Sequence, residues 1–281
     1  ITVQATTQTP TKAPTVTKTI YYPITAQQSV SYVVKIDQST RHDGLFATGP
    51  YRTSAATIKP TASARTRAQQ YATAVATAKT PTGDWIEVKF TDGSQAWIDA
   101  KGVKPIGVNP ISNRQNASQV ATLRQVKRND GLFLDGPYRT SATTMKPNAF
   151  AKSLNGQSVS VIATATVANV RWDQIRLTNG KTYWIDAQGL AVISLYPVTA
   201  HQSVSQPAVL AQSHRNDGLF AAGPYKSSLN TLKPNAFAKT YNGRGVTVIA
   251  TAQSGGHQWS QIRFANGTTY WIDSAGVSVV N

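Results

Sequence analysis

Aspartate is the only acidic residue type that recurs along the chain at a constant spacing, so it is the first candidate for catalysis. It recurs every 87 residues at two positions of a repeated pattern: Asp43, Asp130 and Asp217, and Asp99, Asp186 and Asp273. Two such carboxylates could hydrolyse a glycosidic bond. The first position precedes glycine, as in a turn, and the second ends a strand, where a carboxylate accepts hydrogen bonds. Because catalysis would require three identical active sites in tandem, we predict structural aspartates.

The other residue types that carry catalysis do not recur. The four histidines occupy different positions of the pattern: His42, His201, His214 and His257. The chain has no cysteine, which excludes a disulfide, a thiolate metal site and a cysteine nucleophile. It also lacks a phosphate-binding loop, zinc-ligand spacing and a Gly-X-Ser-X-Gly motif. The sequence therefore predicts a chain that is not an enzyme and that uses no metal and no cofactor.

Basic residues dominate the charge and recur far more often than acidic ones. The 281 residues contain 28 Lys and Arg against 12 Asp and Glu, a formal net charge of +16. Five positions are basic in every copy: Arg41, Arg128 and Arg215; Arg52, Arg139 and Lys226; Lys59, Lys146 and Lys233; Arg65, Lys152 and Lys239; and Lys89, Arg176 and Arg263. Solubility alone would not require the same positions to stay basic. The pattern favours a long anionic polymer bound through linked weak sites, each of which adds avidity.

The repeated pattern defines the domain organisation. Asp-Gly-Leu-Phe begins at three aspartates 87 residues apart, and each copy also contains Gly-Pro-Tyr, one tryptophan before a turn and one in Trp-Ile-Asp. We predict a Thr/Pro-rich linker at residues 1–20, then repeat 1 (21–107), repeat 2 (108–194) and repeat 3 (195–281). This period is too long for a solenoid and suits a small domain with its own core. The 18–20 residues before each Asp-Gly-Leu-Phe either complete that domain or connect neighbours.

Each repeat has the pattern of a small β-barrel. Residues 158–165 form a β-rich run, and no stretch of helical length keeps a 3.6-residue period. Asn179-Gly180 predicts a hairpin with a two-residue loop. That loop would place Ile175 opposite Trp184 on the core side. On the outer side it would place Arg176 opposite Tyr183, together with Trp172. The expected fold is all-β: three tandem small barrels and no helical domain.

The sequence gives two indications of location. No apolar run approaches the ~18–20 residues that cross a bilayer as a helix, so we do not expect the chain to span a membrane. It begins at Ile1 without a basic and apolar leader. We therefore expect that any export signal was removed before this point or was never part of the sequence.

The order of these motifs resembles the GW modules of Gram-positive surface proteins. The resemblance rests on Asp-Gly-Leu-Phe-x-x-Gly-Pro-Tyr, then Trp-x-x-Ile/Val-Arg/Lys, Asn/Asp-Gly and Trp-Ile-Asp, from about residue 40 to 281. It implies SH3-like barrels that attach autolysins, adhesins and invasion proteins non-covalently to the cell wall. Such modules bind lipoteichoic acid, and some bind host glycosaminoglycans. One departure is that Ala96, Tyr183 and Tyr270 stand where the family's name-giving dipeptide has glycine.

We therefore predict a secreted, non-catalytic anchor on the Gram-positive cell wall that binds lipoteichoic or teichoic acid. The expected ligand-binding residues are Arg52, Lys89, Arg139, Lys152, Trp172, Arg176, Tyr183, Lys226, Lys239, Trp259, Arg263 and Tyr270. The alternative is an adhesin or surface-layer component that binds a heparin-like glycosaminoglycan or a protein lattice. We expect a monomer that does not bind nucleic acid, and a catalytic domain elsewhere in the parent protein is compatible with this function. Repeat 1 is expected to bind most weakly, because Ser63 stands where the other repeats have Phe150 and Phe237.

Overall fold

The computed structural model describes residues 19–280, and these residues form strands, turns and 3-10 helices without an α-helix. Most of the predicted linker, residues 1–18, lies outside the described residues. The strands of repeat 1 are β1 (Ala26–Ile36), β2 (Gly44–Leu45), β3 (Ala62–Ser63), β4 (Tyr71–Thr80), β5 (Gly83–Phe90), β6 (Gln95–Asp99) and β7 (Val103–Pro105).

Repeats 2 and 3 reproduce this order of elements. The strands of repeat 2 are β8 (Ile111–Leu123), β9 (Gly131–Leu132), β10 (Ala149–Phe150), β11 (Ser158–Val167), β12 (Val170–Arg176), β13 (Thr182–Asp186) and β14 (Leu190–Ile193). Those of repeat 3 are β15 (Thr199–Leu210), β16 (Gly218–Leu219), β17 (Ala236–Phe237), β18 (Gly245–Ser254), β19 (His257–Arg263), β20 (Thr269–Asp273) and β21 (Val277–Val279). Nine 3-10 helices occur in the described part: Ala55–Thr57, Ala64–Arg67, Ala100–Gly102, Ala142–Thr144, Lys152–Leu154, Ala187–Gly189, Leu229–Thr231, Ala238–Tyr241 and Ser274–Gly276.

Every repeat folds as one curled, antiparallel, five-stranded sheet beside a two-stranded ribbon. In repeat 1 the strand order is β6-β5-β4-β1-β7, with β2 paired to β3, and the other repeats have the same order. The ribbon is joined to the sheet by backbone pairing of Phe46 with Trp97, of Phe133 with Trp184 and of Phe220 with Trp271. The predicted all-β fold of three tandem SH3-like units is thereby confirmed. The segment before Asp-Gly-Leu-Phe completes the sheet, because β1 pairs with both β4 and β7.

Each repeat has two buried clusters, which a β-bulge separates. In repeat 2 the first cluster contains Val161 and Ile175, and the second contains Ala163 and Trp184. Val161 pairs with Ile175, but Ala163 pairs with Gln174, so one extra residue of β11 lies between the two pairs. The extra residue turns the following small side chains toward the opposite face of β12, where they pack against the tryptophan. The same bulge occurs in β4 and in β18.

The predicted hairpin register is wrong by one residue. Leu177 pairs with Lys181, and the backbone N–H of Gly180 donates to the carbonyl of Leu177 at 2.9 Å, so the loop has three residues. Gly180 has φ of 83°, the left-handed conformation that such a loop requires at its last residue. Ile175 therefore lies opposite Tyr183, and Trp184 lies opposite Gln174. The shift exchanges the two faces of β13, so Trp184 packs in the second cluster and Tyr183 packs against the first.

Candidate functional site

The recurring aspartates form a hydrogen-bonded network with a buried glutamine and an arginine. In repeat 2, the side-chain amide of Gln125 is fully buried and donates to Asp130 Oδ2 at 2.7 Å and to the Gly189 carbonyl at 3.1 Å. The Gln125 side-chain oxygen accepts the backbone N–H of Asp130 at 2.9 Å. Arg128 donates to Asp130 at 2.7 Å and to Asp186 at 3.0 Å. One arginine therefore holds both carboxylates.

The other two repeats contain the same network. Arg41 lies 2.6 Å from Asp43 and 3.2 Å from Asp99, and Arg215 lies 2.8 Å from Asp217 and 3.7 Å from Asp273. Gln38 and Gln212 are buried at the position of the repeat 2 glutamine. Hydrogen bonding to the aspartate raises the pKa of each arginine further above its ordinary range. These carboxylates are structural acceptors of hydrogen bonds within the fold, as the sequence predicts.

The second aspartate of each pair also begins a 3-10 turn. Asp99 Oδ1 accepts the backbone N–H of Lys101 at 2.8 Å, and Asp186 and Asp273 accept the equivalent N–H at 2.9 Å. The glycine that ends this turn packs directly on the network, because a Cβ placed on Gly189 would overlap Asp130 Oδ2. The expected role of this aspartate as a hydrogen-bond acceptor at a strand end is confirmed.

The recurring basic residues fall into two groups, and the first is engaged within the fold. Arg41, Arg128 and Arg215 belong to the network described above. Arg52, Arg139 and Lys226 have φ of 58°, 59° and 60°, and their carbonyls accept the N–H of a residue that precedes the first long strand of the repeat. Arg52 lies over the ring of Tyr51 at 5.7 Å, and Lys226 lies over Tyr196 at 4.9 Å. The backbones of these three residues therefore hold a loop in place, and the side chains of Arg52 and Lys226 pack on aromatic rings.

The second group is exposed, and in the described part of the chain almost all of its side chains lack a hydrogen bond or an ion pair. The members without a partner are Lys59, Arg65, Lys89, Lys146, Arg176, Lys233, Lys239 and Arg263. Lys152 is the exception, because its Nζ donates to the carbonyl of Val126 at 2.6 Å. We call the eight side chains the open cations. They are the charges that a bound anion could contact without breaking an existing interaction.

Three of the open cations stand at the exposed ends of equivalent strands. Lys89, Arg176 and Arg263 end or nearly end β5, β12 and β19. The two arginines each lie between two hydroxyl-bearing residues of the partner strands, whereas Lys89 lies between Thr73 and Gln95. Arg176, for example, lies between Ser160 and Thr182. A guanidinium or ammonium group flanked by hydroxyls can receive a phosphate, with the cation supplying charge and the hydroxyls supplying donors.

The hairpin of repeat 1 differs from those of repeats 2 and 3 because it contains an ion pair between Arg67 and Asp92. Arg67 donates to Asp92 at 2.7 Å and lies over the ring of Phe90 at 4.6 Å. Hydrogen bonds from Ser94, together with Arg67, lower the pKa of Asp92 to about 2. The other repeats have Leu154 and Tyr241 in place of this arginine. Repeat 1 therefore presents an acidic group on the same hairpin that carries its open Lys89.

The aromatic residues predicted to bind ligand are less exposed than expected. Trp259 is buried and Trp172 is half-buried, and each meets a phenylalanine of the ribbon edge on, at 5.8 Å and 5.7 Å. Tyr183 and Tyr270 are half-buried against the first cluster of their repeats. Their predicted place on the outer face is wrong, because the three-residue loop shifts the register.

Among the exposed aromatic side chains that the predicted site omitted, two phenylalanines lie beside basic residues. Phe150 and Phe237 are 55% and 53% exposed, and each lies two residues before Lys152 or Lys239. The signal was present in the sequence, because repeat 1 has Ser63 at this position and a core residue would not tolerate that exchange. These two rings add apolar surface beside the basic residues of repeats 2 and 3.

The GW (Gly-Tryp) dipeptide domain family matches the chain three times, at residues 26–104, 113–191 and 200–278. The chain belongs to this family, whose domains are cell-wall-binding modules. No curated protein matches the sequence. A crystal structure assigned as an autolysin, from Listeria monocytogenes, is similar at 19% identity and a TM-score of 0.42, over 91% of this chain and 99% of that chain.

Membership in this family is typical of a cell-wall-associated surface protein with binding modules. Among residues 19–280, no helix is long and apolar enough to cross a bilayer. The same residues contain no group of three or more histidine, aspartate or glutamate side chains that could hold a metal ion.

Proposed function

We propose that the three repeats anchor their parent protein to the cell envelope by binding an anionic glycopolymer, teichoic or lipoteichoic acid. The observation that carries this proposal is the open cation of Lys89, Arg176 and Arg263, which recurs at one strand position in every repeat and has no partner within the described residues. A polymer that carries a phosphate in every unit presents a matching series of anions. The remaining open cations extend the positive surface of each repeat.

Avidity makes weak individual contacts sufficient for anchoring. A single exposed cation contributes little to affinity in water, typically about 1 kcal/mol or less. Three tethered repeats on one polymer convert the second and third contacts into intramolecular events with a high effective concentration. The resulting attachment is non-covalent and reversible by salt. Such an anchor suits a secreted protein whose catalytic domain, where the parent has one, lies outside these 281 residues.

The test is sedimentation of the purified chain with Gram-positive cell walls, before and after extraction of teichoic acids, over a series of salt concentrations. We expect binding that disappears with extraction and weakens steeply with salt. Exchange of Lys89, Arg176 and Arg263 together for Gln is expected to weaken binding at least about tenfold. It should also lower the slope of log K against log salt by about one unit per side chain.

A control variant with the same net charge distinguishes the effect of these three positions from the effect of the overall charge. Exchange of Lys79, Lys101 and Lys127 for Gln removes the same charge from exposed lysines that do not recur in the repeat. An equal loss in both variants would show that only net charge matters and would contradict the proposed site. Binding that survives extraction and high salt would point to peptidoglycan or a neutral saccharide. Binding to heparin that exceeds binding to complete walls would favour the host-polysaccharide function instead.

A further inference from the structure

A second concave feature, separate from the open cations, recurs in repeats 1 and 3. In repeat 1 a cleft of about 360 Å³ is lined by Phe46, Tyr51 and Trp85, with Asp43 and Asp99 at its rim. In repeat 3 a cleft of about 260 Å³ is lined by the equivalent Phe220, Tyr225, Trp259, Asp217 and Asp273. We call each of these the aromatic cleft. The three rings and two aspartates recur at equivalent positions of the two repeats, which indicates a built feature of the domain.

The aromatic cleft is locally acidic in a strongly basic chain. Its lining contains two aspartates and, among the described residues, no lysine or arginine. Arg41 pairs with both aspartates of the repeat 1 cleft, so two negative charges are matched by one positive charge. Asp99 retains 35% exposure of its side chain and Asp273 retains 23%. The rim therefore repels phosphate and leaves a carboxylate accessible to a cation.

The aromatic rings of the cleft also favour a cation over an anion. The ring of Phe46 lies 5.6 Å from those of Tyr51 and Trp85, and Phe220 has its two equivalent neighbours at 5.6 Å and 5.8 Å. Tyr225 is 42% exposed, so its ring is open to a ligand. Aromatic faces carry partial negative charge and attract ammonium groups. Rings on the walls and a carboxylate at the rim are the elements of an ammonium-binding cage.

We propose that the aromatic cleft binds an ammonium group, such as one carried by a substituent of a cell-envelope polymer. A zwitterionic polymer would then engage each repeat twice, its phosphates at the open cations and its ammonium groups in the cleft. The cleft proposal does not depend on the polymer site, because a small monovalent cation tests it directly.

The experiment titrates the full chain, labelled with ¹⁵N at the tryptophan indoles, with butylammonium at constant ionic strength and pH 8, where histidine is ordinarily neutral. This pH matters because His42 and His257 also line the clefts. We expect saturable shifts of the indole signals of the clefts, Trp85 and Trp259 among them. We also expect 1-butanol, which has similar shape and no charge, to bind at least about fivefold more weakly.

Two pairs of variants identify the groups responsible. D99N with D273N keeps the oxygen that accepts the backbone N–H but removes the rim charge, and it is expected to weaken butylammonium binding about fivefold. D37N with D92N makes the same change in net charge at two aspartates that do not line the clefts and should leave binding unchanged. Y51L with Y225L removes the tyrosine rings without changing the Gln–Asp–Arg network and is expected to weaken butylammonium binding. This pair keeps the proposal testable if the aspartate variants fold poorly.

Three results would overturn the proposal. The first is the absence of a saturable shift. The second is equal binding of 1-butanol, or tighter binding of methyl glucoside, which would make the cleft an apolar or a sugar site. The third is equal weakening by D37N with D92N, which would show that the chain responds only to its overall charge.

Discussion

Repeats 1 and 2 share an interior but differ on their surfaces. Both keep the Gln–Asp–Arg network, the bulge in the long central strand and the tryptophan cluster. At the exposed positions, Ser63 replaces Phe150, and Gln69 replaces Gly156. The hairpin of repeat 1 also carries Asp92 close to its open lysine. The repeats therefore share the interactions that hold the fold and differ at exposed positions, where we propose that the strength of binding is set.

The largest loss of stability is expected from breaking the Gln–Asp–Arg network that the repeats share. Asp130→Ala removes the carboxylate that Arg128 and Gln125 share, so we expect the free energy of unfolding of repeat 2 to fall by about 3 kcal/mol. D43A and D217A should destabilise their own repeats to a similar extent. The measurement is calorimetry of the full chain with separate fitting of the transitions, since several domains do not unfold as one two-state unit.

The control for this prediction is Asp135→Ala, which removes an exposed aspartate from the same repeat and should change stability by no more than about 0.5 kcal/mol. A similarly small effect of D130A would mean that the network does not hold the fold. Other contacts of the shared interior would then have to stabilise each repeat.

Exchanging the residues at the exposed aromatic position should sharpen the difference between repeats. F150S with F237S is expected to weaken wall binding about fivefold, which corresponds to about 1 kcal/mol for the two exposed rings together. S63F is expected to strengthen binding. Stability should hardly change, because both rings are more than half exposed. Sedimentation with cell walls measures the effect. V126S, at an exposed apolar residue without counterparts in the other repeats, serves as the control. If S63F leaves binding unchanged, these rings do not explain weaker binding by repeat 1.

The smallest effect concerns the backbone at the turn that precedes the central strand. Gln69 has φ of 65°, where Gly156 has φ of 80° and Gly243 has φ of 75°. A side chain in this conformation is strained, so Gln69→Gly should stabilise repeat 1 by up to about 1 kcal/mol. Gly156→Gln should destabilise repeat 2 by a similar amount. A Cβ placed there meets no atom within 4 Å, so the backbone alone carries the cost. Thermal unfolding should therefore show a gain in stability for Gln69→Gly and a loss for Gly156→Gln.

Much of the site could be read from the repeat itself. The recurrence of Asp43 and Asp99 in every copy, next to glycine and at a strand end, indicated structural roles that their hydrogen bonds display. The five basic positions were equally visible. Their division into engaged and open cations was not, because it depends on Arg128 lying close to Asp186, a residue 58 positions away in the chain. Sequence shows that a cation recurs, but only packing shows whether it is already paired.

The sequence by itself determined the number of repeats, their β character and the family, because the 87-residue period and the spacing of the motifs are covalent facts. The tertiary structure decided which side chains face outward. A two-residue and a three-residue loop are both compatible with Asn179-Gly180, and the bulge in β11 has no clear signature in its alternating residues. Each shifts the pairing by one residue, and in a strand one residue exchanges the buried face for the exposed one.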